Sequence, residues 1–414
     1  MRLVGALTLV SAGAAPVYAQ SVSKCGLTIS TGQTSSLGSI CAAAAARHSP
    51  LGPGYDVCSG VNVETAYEDN AFRTETGAKG DGYLQVKPAI SIDRVAEHNE
   101  LRANAQATLR RQFERPANNF IDFSAGSSGA YETAGGTRLA ARVRAKRGHE
   151  SRETLDSSGQ KAELARFIEP QAAFGITRPF AMGFASFGQT VTYRKFTSDP
   201  GDVARGRDQI VYDSLGCIGT EISPLFGIML VGNFQYTDRR GNRSTVSQER
   251  NFEVGISARL VYEVSGLTDL ALEGGWLTTR SGSDDSAKRN TFQFAGGLAW
   301  HATDLTTFNA AFDTRVRQTS LPGVGVSIVR GQELRIIHDL TPEFDISARG
   351  ALNFENVLGS KTESVGWDIG AEIAYVLTES VQLQGRLQRS RRESDPDDLS
   401  FTNNRITLTL TAAY

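Results

Sequence analysis

The side chains with most chemical capacity in this 414-residue chain are arginines and carboxylates placed at every second position. Arg102 and Arg110 alternate with Leu101, Ala103, Ala107 and Leu109, and Arg142 and Arg144 alternate with Ala141, Val143 and Ala145. Arg259, Arg349, Arg386 and Arg405 hold the same polar parity in later segments, together with Glu253, Glu273, Asp345, Asp368 and Glu372. A guanidinium offers a planar fork of donors suited to carboxylates and sugar hydroxyls, and rings of fixed charge select solutes in pores. Such a wall is expected either to favour anionic or polyhydroxylated solutes or to brace itself by mutual ion pairing. Both signs of charge are well represented, which the bracing reading requires.

Catalysis is not expected. The five histidines, His48, His98, His149, His301 and His338, are scattered near turns and strand ends, and the nearness of His149 to Ser151 is too little to define a Ser/His pair. No glycine-rich phosphate loop leads into a helix, and there is no serine elbow or paired-histidine helix motif. No cofactor is implied, and a net charge of −2 gives no basic surface for nucleic acid. Of the four cysteines, Cys25, Cys41 and Cys58 crowd the N-terminal part, where a disulfide among them is expected in an oxidising compartment, with its connectivity open. No two cysteines have zinc-ligand spacing. Cys217 is expected simply to fill a strand position.

The elements that must carry these residues are strands. Composition points that way, with 42 Gly against 3 Met, because Gly weakens helix interiors. Periodicity decides it. Phe252, Val254, Ile256, Ala258, Leu260 and Tyr262 oppose Glu253, Ser257, Arg259 and Glu263, and Ile406, Leu408, Leu410, Ala412 and Tyr414 oppose Arg405, Thr407, Thr409 and Thr411. A strand turns alternate side chains to opposite faces, so each segment has one apolar and one polar face. A soluble sandwich would point the apolar face into a shared core, whereas a membrane barrel points it at lipid. Three features favour the barrel: alternating runs of about ten residues or more, brief turns alternating with longer polar links, and aromatics such as Tyr236, Tyr262, Trp276, Trp300 and Trp367 near strand ends.

The expected fold is therefore all-β, a transmembrane antiparallel up-and-down barrel of about 18 strands (16 being the alternative). An even count places both ends in the periplasm. A turn phrase recurs as Leu267-Thr268-Asp269, Ala302-Thr303-Asp304, Leu340-Thr341-Pro342-Glu343 and Leu377-Thr378-Glu379, which suggests a hairpin-by-hairpin repeat. Arg111 and Arg330 fall on the apolar parity and are expected at bulges or near the membrane surface. Residues 1–19 read as a signal peptide: Arg2, then an apolar run over Leu3–Ala14, then Val17 and Ala19 at the cleavage positions. Residues 20–60 are expected to form a periplasmic lead or tether, with a plug as the alternative, and 61–414 the barrel.

The run Tyr67-Glu68-Asp69-Asn70-Ala71-Phe72-Arg73-Thr74, followed by Pro88-Ala89-Ile90-Ser91-Ile92, resembles the first two strands of a family of outer-membrane β-barrel porins. In that pattern Asp is commoner than the Glu found here at position 68. The terminal Tyr414 is similar to the aromatic signal read by the barrel-assembly machinery. The resemblance covers residues 61–414 and implies a location in the outer membrane of a Gram-negative bacterium, in contact with lipid and lipopolysaccharide. It also implies a porin-like passive channel, with some relatives linked to exopolysaccharide and its export proteins. A non-conducting structural or surface-binding protein is the alternative.

Overall fold

The computed structural model describes residues 54–152, 165–198, 208–240, 250–281, 288–318, 326–357, 362–395 and 399–414. The expected signal peptide, residues 20–53 of the expected lead, and much of the longer links lie outside these residues.

Eighteen strands account for almost all of the described chain: β1 (Tyr55–Glu68), β2 (Asp81–Ala96), β3 (Asn99–Gln112), β4 (Phe120–Glu132), β5 (Arg138–His149), β6 (Arg166–Phe180), β7 (Gly183–Ser198), β8 (Asp208–Ser223) and β9 (Phe226–Arg240), then β10 (Arg250–Ser265), β11 (Thr268–Ser281), β12 (Lys288–Thr303), β13 (Thr306–Gln318), β14 (Val326–Thr341), β15 (Phe344–Val357), β16 (Glu363–Thr378), β17 (Val381–Asp395) and β18 (Phe401–Ala413). Each strand pairs antiparallel with the next, and β1 pairs with β18, so the sheet is closed. β1 begins at Tyr55, six residues before the expected start of the barrel. Closure leaves no unpaired strand edge, which a bilayer interior requires. No helix of the described residues is long and apolar enough to cross a membrane; the strands do the crossing.

The alternation sorts the two faces cleanly. Leu101, Leu109, Val143, Ile256, Trp276, Ile369, Leu387 and Ile406 are all exposed on the outside. A single-layer wall can hold them there only if its solvent is apolar. Outward aromatics form two bands. Toward one end lie the ring pairs Phe226–Tyr262, Trp300–Phe308 and Phe344–Tyr375. Toward the other lie Tyr212–Tyr236, Tyr236–Phe252 and Trp276–Phe292. Arg111, next to last in β3, and Arg330, fifth in β14, both face outward near the second end. Neither sits at a register shift, so a near-surface position rather than a bulge resolves their parity.

The two ends of the barrel differ. At the end where β1 begins and β18 finishes, seven of the eight connections between strands have two residues; the exception, between β4 and β5, has five. Five of these turns share one construction. Ser223, Ser265, Thr303, Thr341 and Thr378 each accept, through the side-chain oxygen, a hydrogen bond from the backbone N–H two residues on, at 3.2–3.3 Å. The strand register shifts by one residue at each of them. Three members of the expected turn phrase, Thr303, Thr341 and Thr378, take this role. Thr268 does not, because it opens β11 after the turn, and Ser265 stands in its place. Another expected turn, at Arg178–Pro179, is displaced to residues 181–182 because β6 runs on to Phe180.

Pro88 and Pro170 lie inside strands, although proline cannot donate to a ladder. Accordingly β2–β3 pairing skips from Val86 to Ala89, and β6–β7 pairing skips from Ile168 to Gln171.

Candidate functional site: the lumen wall

Every inward-facing charge is held by a strand whose neighbours fix its height, so cross-strand register decides which charges meet. All twelve arginines and carboxylates expected on the polar parity, and Asp345 with them, lie on the face opposite the exposed apolar residues. The structure brings most of them into ion pairs. Glu273 of β11 accepts from Arg259 Nε at 2.8 Å and Nη2 at 2.6 Å, and from Ser257 Oγ at 2.6 Å. Glu372 of β16, almost fully buried, accepts from Arg386 Nε at 2.7 Å and lies 3.8 Å from Arg335. Arg349 pairs with Glu333 at 3.2 Å and Arg102 with Asp93 at 3.1 Å. Asp368 accepts from Gln388 and Ser390, both at 2.6 Å.

The pairing is not uniform around the wall. From β3 to β5, Arg110, Arg142, Arg144 and Lys146 face inward, and none of them has a carboxylate within ion-pair distance among the described residues. Arg110 donates to the Gln85 amide at 3.0 Å and lies over the Tyr83 ring at 3.9 Å. Arg142 donates to the Gln171 amide at 3.3 Å. Lys146 stands over Phe167. A sector of opposite sign lies on β8–β10, where Asp213, Gln235 and Glu253 share one row across three strands. Among the described residues Glu253 takes a hydrogen bond from the Asn233 amide alone, at 3.3 Å.

At the end away from the short turns, the run Tyr67–Thr74 leaves β1 beside the β1–β18 seam. Arg73 donates to Glu68 Oε2 at 2.9 Å and to the backbone carbonyl of Asn70 at 2.6 Å, with a left-handed φ of 57°. Glu68 also pairs with Arg405 of β18 at 2.6 Å. The Asn70 amide nitrogen donates to the carbonyls of Thr74 and Thr402. Arg152, in the link after β5, donates to Asn118 Oδ1 at 2.9 Å and stacks on Phe72. Burial, and then the charge of Arg73, draw its guanidinium down to about 10. Sequence reasoning found these motif residues by resemblance but not their task, which is to join the first link to the last strand.

Cys217 departs from expectation. It is disulfide-bonded, as is Cys58. A cysteine isolated by 159 positions from the next one carries no sequence signal of a partner.

A family model described as "Putative beta-barrel porin 2" matches residues 54–414. The chain belongs to that family. The protein is thus an outer-membrane β-barrel of the porin type, and the match begins at the residue before β1 and ends with the last residue of the chain. No curated protein matches it. Among solved structures, this porin is similar to the outer membrane protein OpdK of Pseudomonas aeruginosa, with 10% identity over 87% of this chain and 99% of that one and a TM-score of 0.49. It is also similar to OccAB4 of Acinetobacter baumannii, with 9% identity over 86% and 98% of the two chains and a TM-score of 0.45. A third similar structure is the FrpB iron transporter of Neisseria meningitidis (F3-3 variant), with 8% identity and a TM-score of 0.49; the match takes in 81% of this chain and 62% of that transporter.

Proposed function

We propose that this porin is a passive aqueous channel that favours anionic or polyhydroxylated solutes. The supporting observation is the basic sector of β3–β5, whose Arg110, Arg142, Arg144 and Lys146 have no carboxylate within ion-pair distance among the described residues, whereas Arg259, Arg349 and Arg386 elsewhere on the wall are paired. Barrels of 16–18 strands are wide enough to leave a water-filled interior. In such a lumen an unpaired guanidinium raises the local concentration of anions and offers its fork to carboxylates and hydroxyls. An exopolysaccharide strand in export has this chemistry, and we extend the proposal to association with such a polymer.

The same reading assigns the remaining surfaces. The outward face meets outer-membrane lipid and lipopolysaccharide. Tyr414, exposed beside the seam and paired through its backbone with Ser59, is the group offered to the barrel-assembly machinery. Residues 1–19 direct export.

Reversal potentials in a planar bilayer under a potassium chloride gradient test the selectivity. Anion preference is expected for the native porin, and a shift toward cations for the Arg142→Glu/Arg144→Glu variant. Equal selectivity in the two proteins would remove the basic sector from the account.

A further inference from the structure

We propose that the outer wall of β13–β17 carries a binding site for lipopolysaccharide, in which arginines toward the long-link end take the headgroup phosphates and a groove below them takes an acyl chain. The proposal deepens the reading of the outward face as a lipid surface and rests on it; it does not depend on conduction.

Arg330 of β14 and Arg389 of β17 hold the outward parity and are exposed. Neither has a carboxylate within ion-pair distance among the described residues. Arg391, two residues beyond Arg389, pairs instead with Glu393 at 2.7 Å. The guanidinium of Arg389 lies over the Trp367 ring of β16, 5.9 Å from its centroid. Arg330 and Trp367 each stand twelfth from the short-turn end of their strands, so the Trp367 ring brings the Arg389 guanidinium to the level of Arg330. An outward arginine is tolerated near an interface, and its fork of donors grips a phosphate through two hydrogen bonds.

Below this level the same face is hollow. Ala310, Phe312, Leu334, Gly350, Leu352 and Ile369 line an apolar groove of about 920 Å³, a volume within the roughly 300–1,000 Å³ of ordinary ligand sites. Gly350 opens it. Leu334 and Ile369 flank Gly350 on the neighbouring strands, and a Cβ added to Gly350 would meet nothing within 4 Å. Bulky side chains around a missing one leave a slot of the kind a single acyl chain fills. Gln332 lies between Arg330 and Leu334 on this face, exposed, and its amide has no hydrogen-bond partner among the described residues. An unpartnered amide against hydrocarbon is costly. The ester and amide carbonyls at the root of a lipid's acyl chains supply its partner at that depth.

The separation of the two arginines selects the occupant. Arg330 shares a cross-strand row with Phe354, Val365 and Glu393, and Arg389 lies four residues along β17 from Glu393. At about 4.8 Å per strand and about 3.3 Å per residue, the two backbone positions are about 20 Å apart. A phospholipid with its one phosphate does not bridge them. Lipopolysaccharide carries a phosphate at each end of an acylated disaccharide, and it occupies the leaflet on the long-link side, which is the external side of such barrels. A second barrel packed here about a two-fold axis would set these arginines against their own copies.

The test is binding of bis-phosphorylated lipid A to the full-length porin in detergent, read by native mass spectrometry, with phosphatidylglycerol as competitor. Heat modifiability checks that each variant is folded. Bound lipid A that resists about a tenfold excess of phosphatidylglycerol is expected. Arg330→Gln/Arg389→Gln and, independently, Gly350→Leu should each weaken binding about tenfold. The added side chain of Gly350→Leu enters open space, so that barrel should refold. Arg142→Glu/Arg144→Glu, on the lumen side, should bind as the native porin does. Unchanged binding in either wall variant, or displacement by phosphatidylglycerol, would overturn the proposal. So would an oligomer that Gly350→Leu dissociates, since the groove would then belong to a second copy. A native protein that stays in solution without detergent would instead defeat the membrane reading, and the site with it.

Discussion

At the scale of single residues, the lumen wall divides into charges that hold the barrel and charges left over. Glu372 belongs to the first group. Arg386 from the adjacent β17 and Arg335 from β14, two strands away, converge on it, and removing its charge leaves Arg386 without a carboxylate partner among the described residues. Glu372→Gln should lower the stability of the refolded barrel by about 2 kcal/mol, a hydrogen-bonded charge pair being worth about 1.5–3 kcal/mol where water is scarce. The midpoint of urea unfolding in micelles would report it, and an unchanged midpoint would show the pair to be solvent-screened. Arg142 and Arg144 belong to the second group, and their substitution should move selectivity while leaving that midpoint nearly still. The facing of these residues was legible in the sequence, because parity alone sets it. Their partners were not. That Arg259 meets Glu273 while Arg142 meets only an amide depends on cross-strand register, which the turns and bulges fix. The bonded state of Cys217 was equally hidden, since a cysteine isolated in the sequence gives no signal of a partner.

At the scale of elements, the repeated turn is the barrel's unit of construction. A Ser or Thr oxygen caps the two-residue turn, and a one-residue register shift follows at the strand end. The shift matters because slipping a strand by one residue would turn its arginines to lipid. Each cap is a single exposed hydrogen bond worth about 0.5 kcal/mol, and caps about 10 Å apart act nearly independently. The triple variant Thr303→Ala/Thr341→Ala/Thr378→Ala should therefore lose about 1.5 kcal/mol in the same unfolding measurement, with ion selectivity unchanged; a loss of selectivity would mean that the caps also set register. Gly275 marks a different constraint. A Cβ there would overlap the backbone carbonyl of Ile256 and the Cα of Ser257 on β10, so Gly275→Val should fail to refold into a heat-modifiable form, and normal refolding would show that β10 and β11 can separate. Strand number and the split between short and long connections were readable from alternation and turn residues. Strand ends were less so: β6 continues past Arg178–Pro179 because proline at the edge of a ladder ends pairing on one side only.

At the scale of the whole molecule, closure makes the sequence pattern intelligible. Eighteen strands joined through the β1–β18 seam leave no strand edge unpaired, turn the apolar parity outward and enclose the polar one. The porin's motif residues serve that closure, since Glu68 and Asn70 tie the first link to Arg405 and Thr402 of the last strand. The seam is also where the chain ends, with Tyr414 and Ser59 exchanging backbone hydrogen bonds at 2.7 and 3.0 Å. A barrel built this way can be a conduit or a closed pillar, and the distinction lies in the lumen. Single-channel recording of the refolded full-length porin in a planar bilayer addresses it directly. Steady current steps that scale with salt concentration are predicted. Electrical silence from a preparation shown to be heat-modifiable and β-rich would contradict the channel and leave a structural barrel.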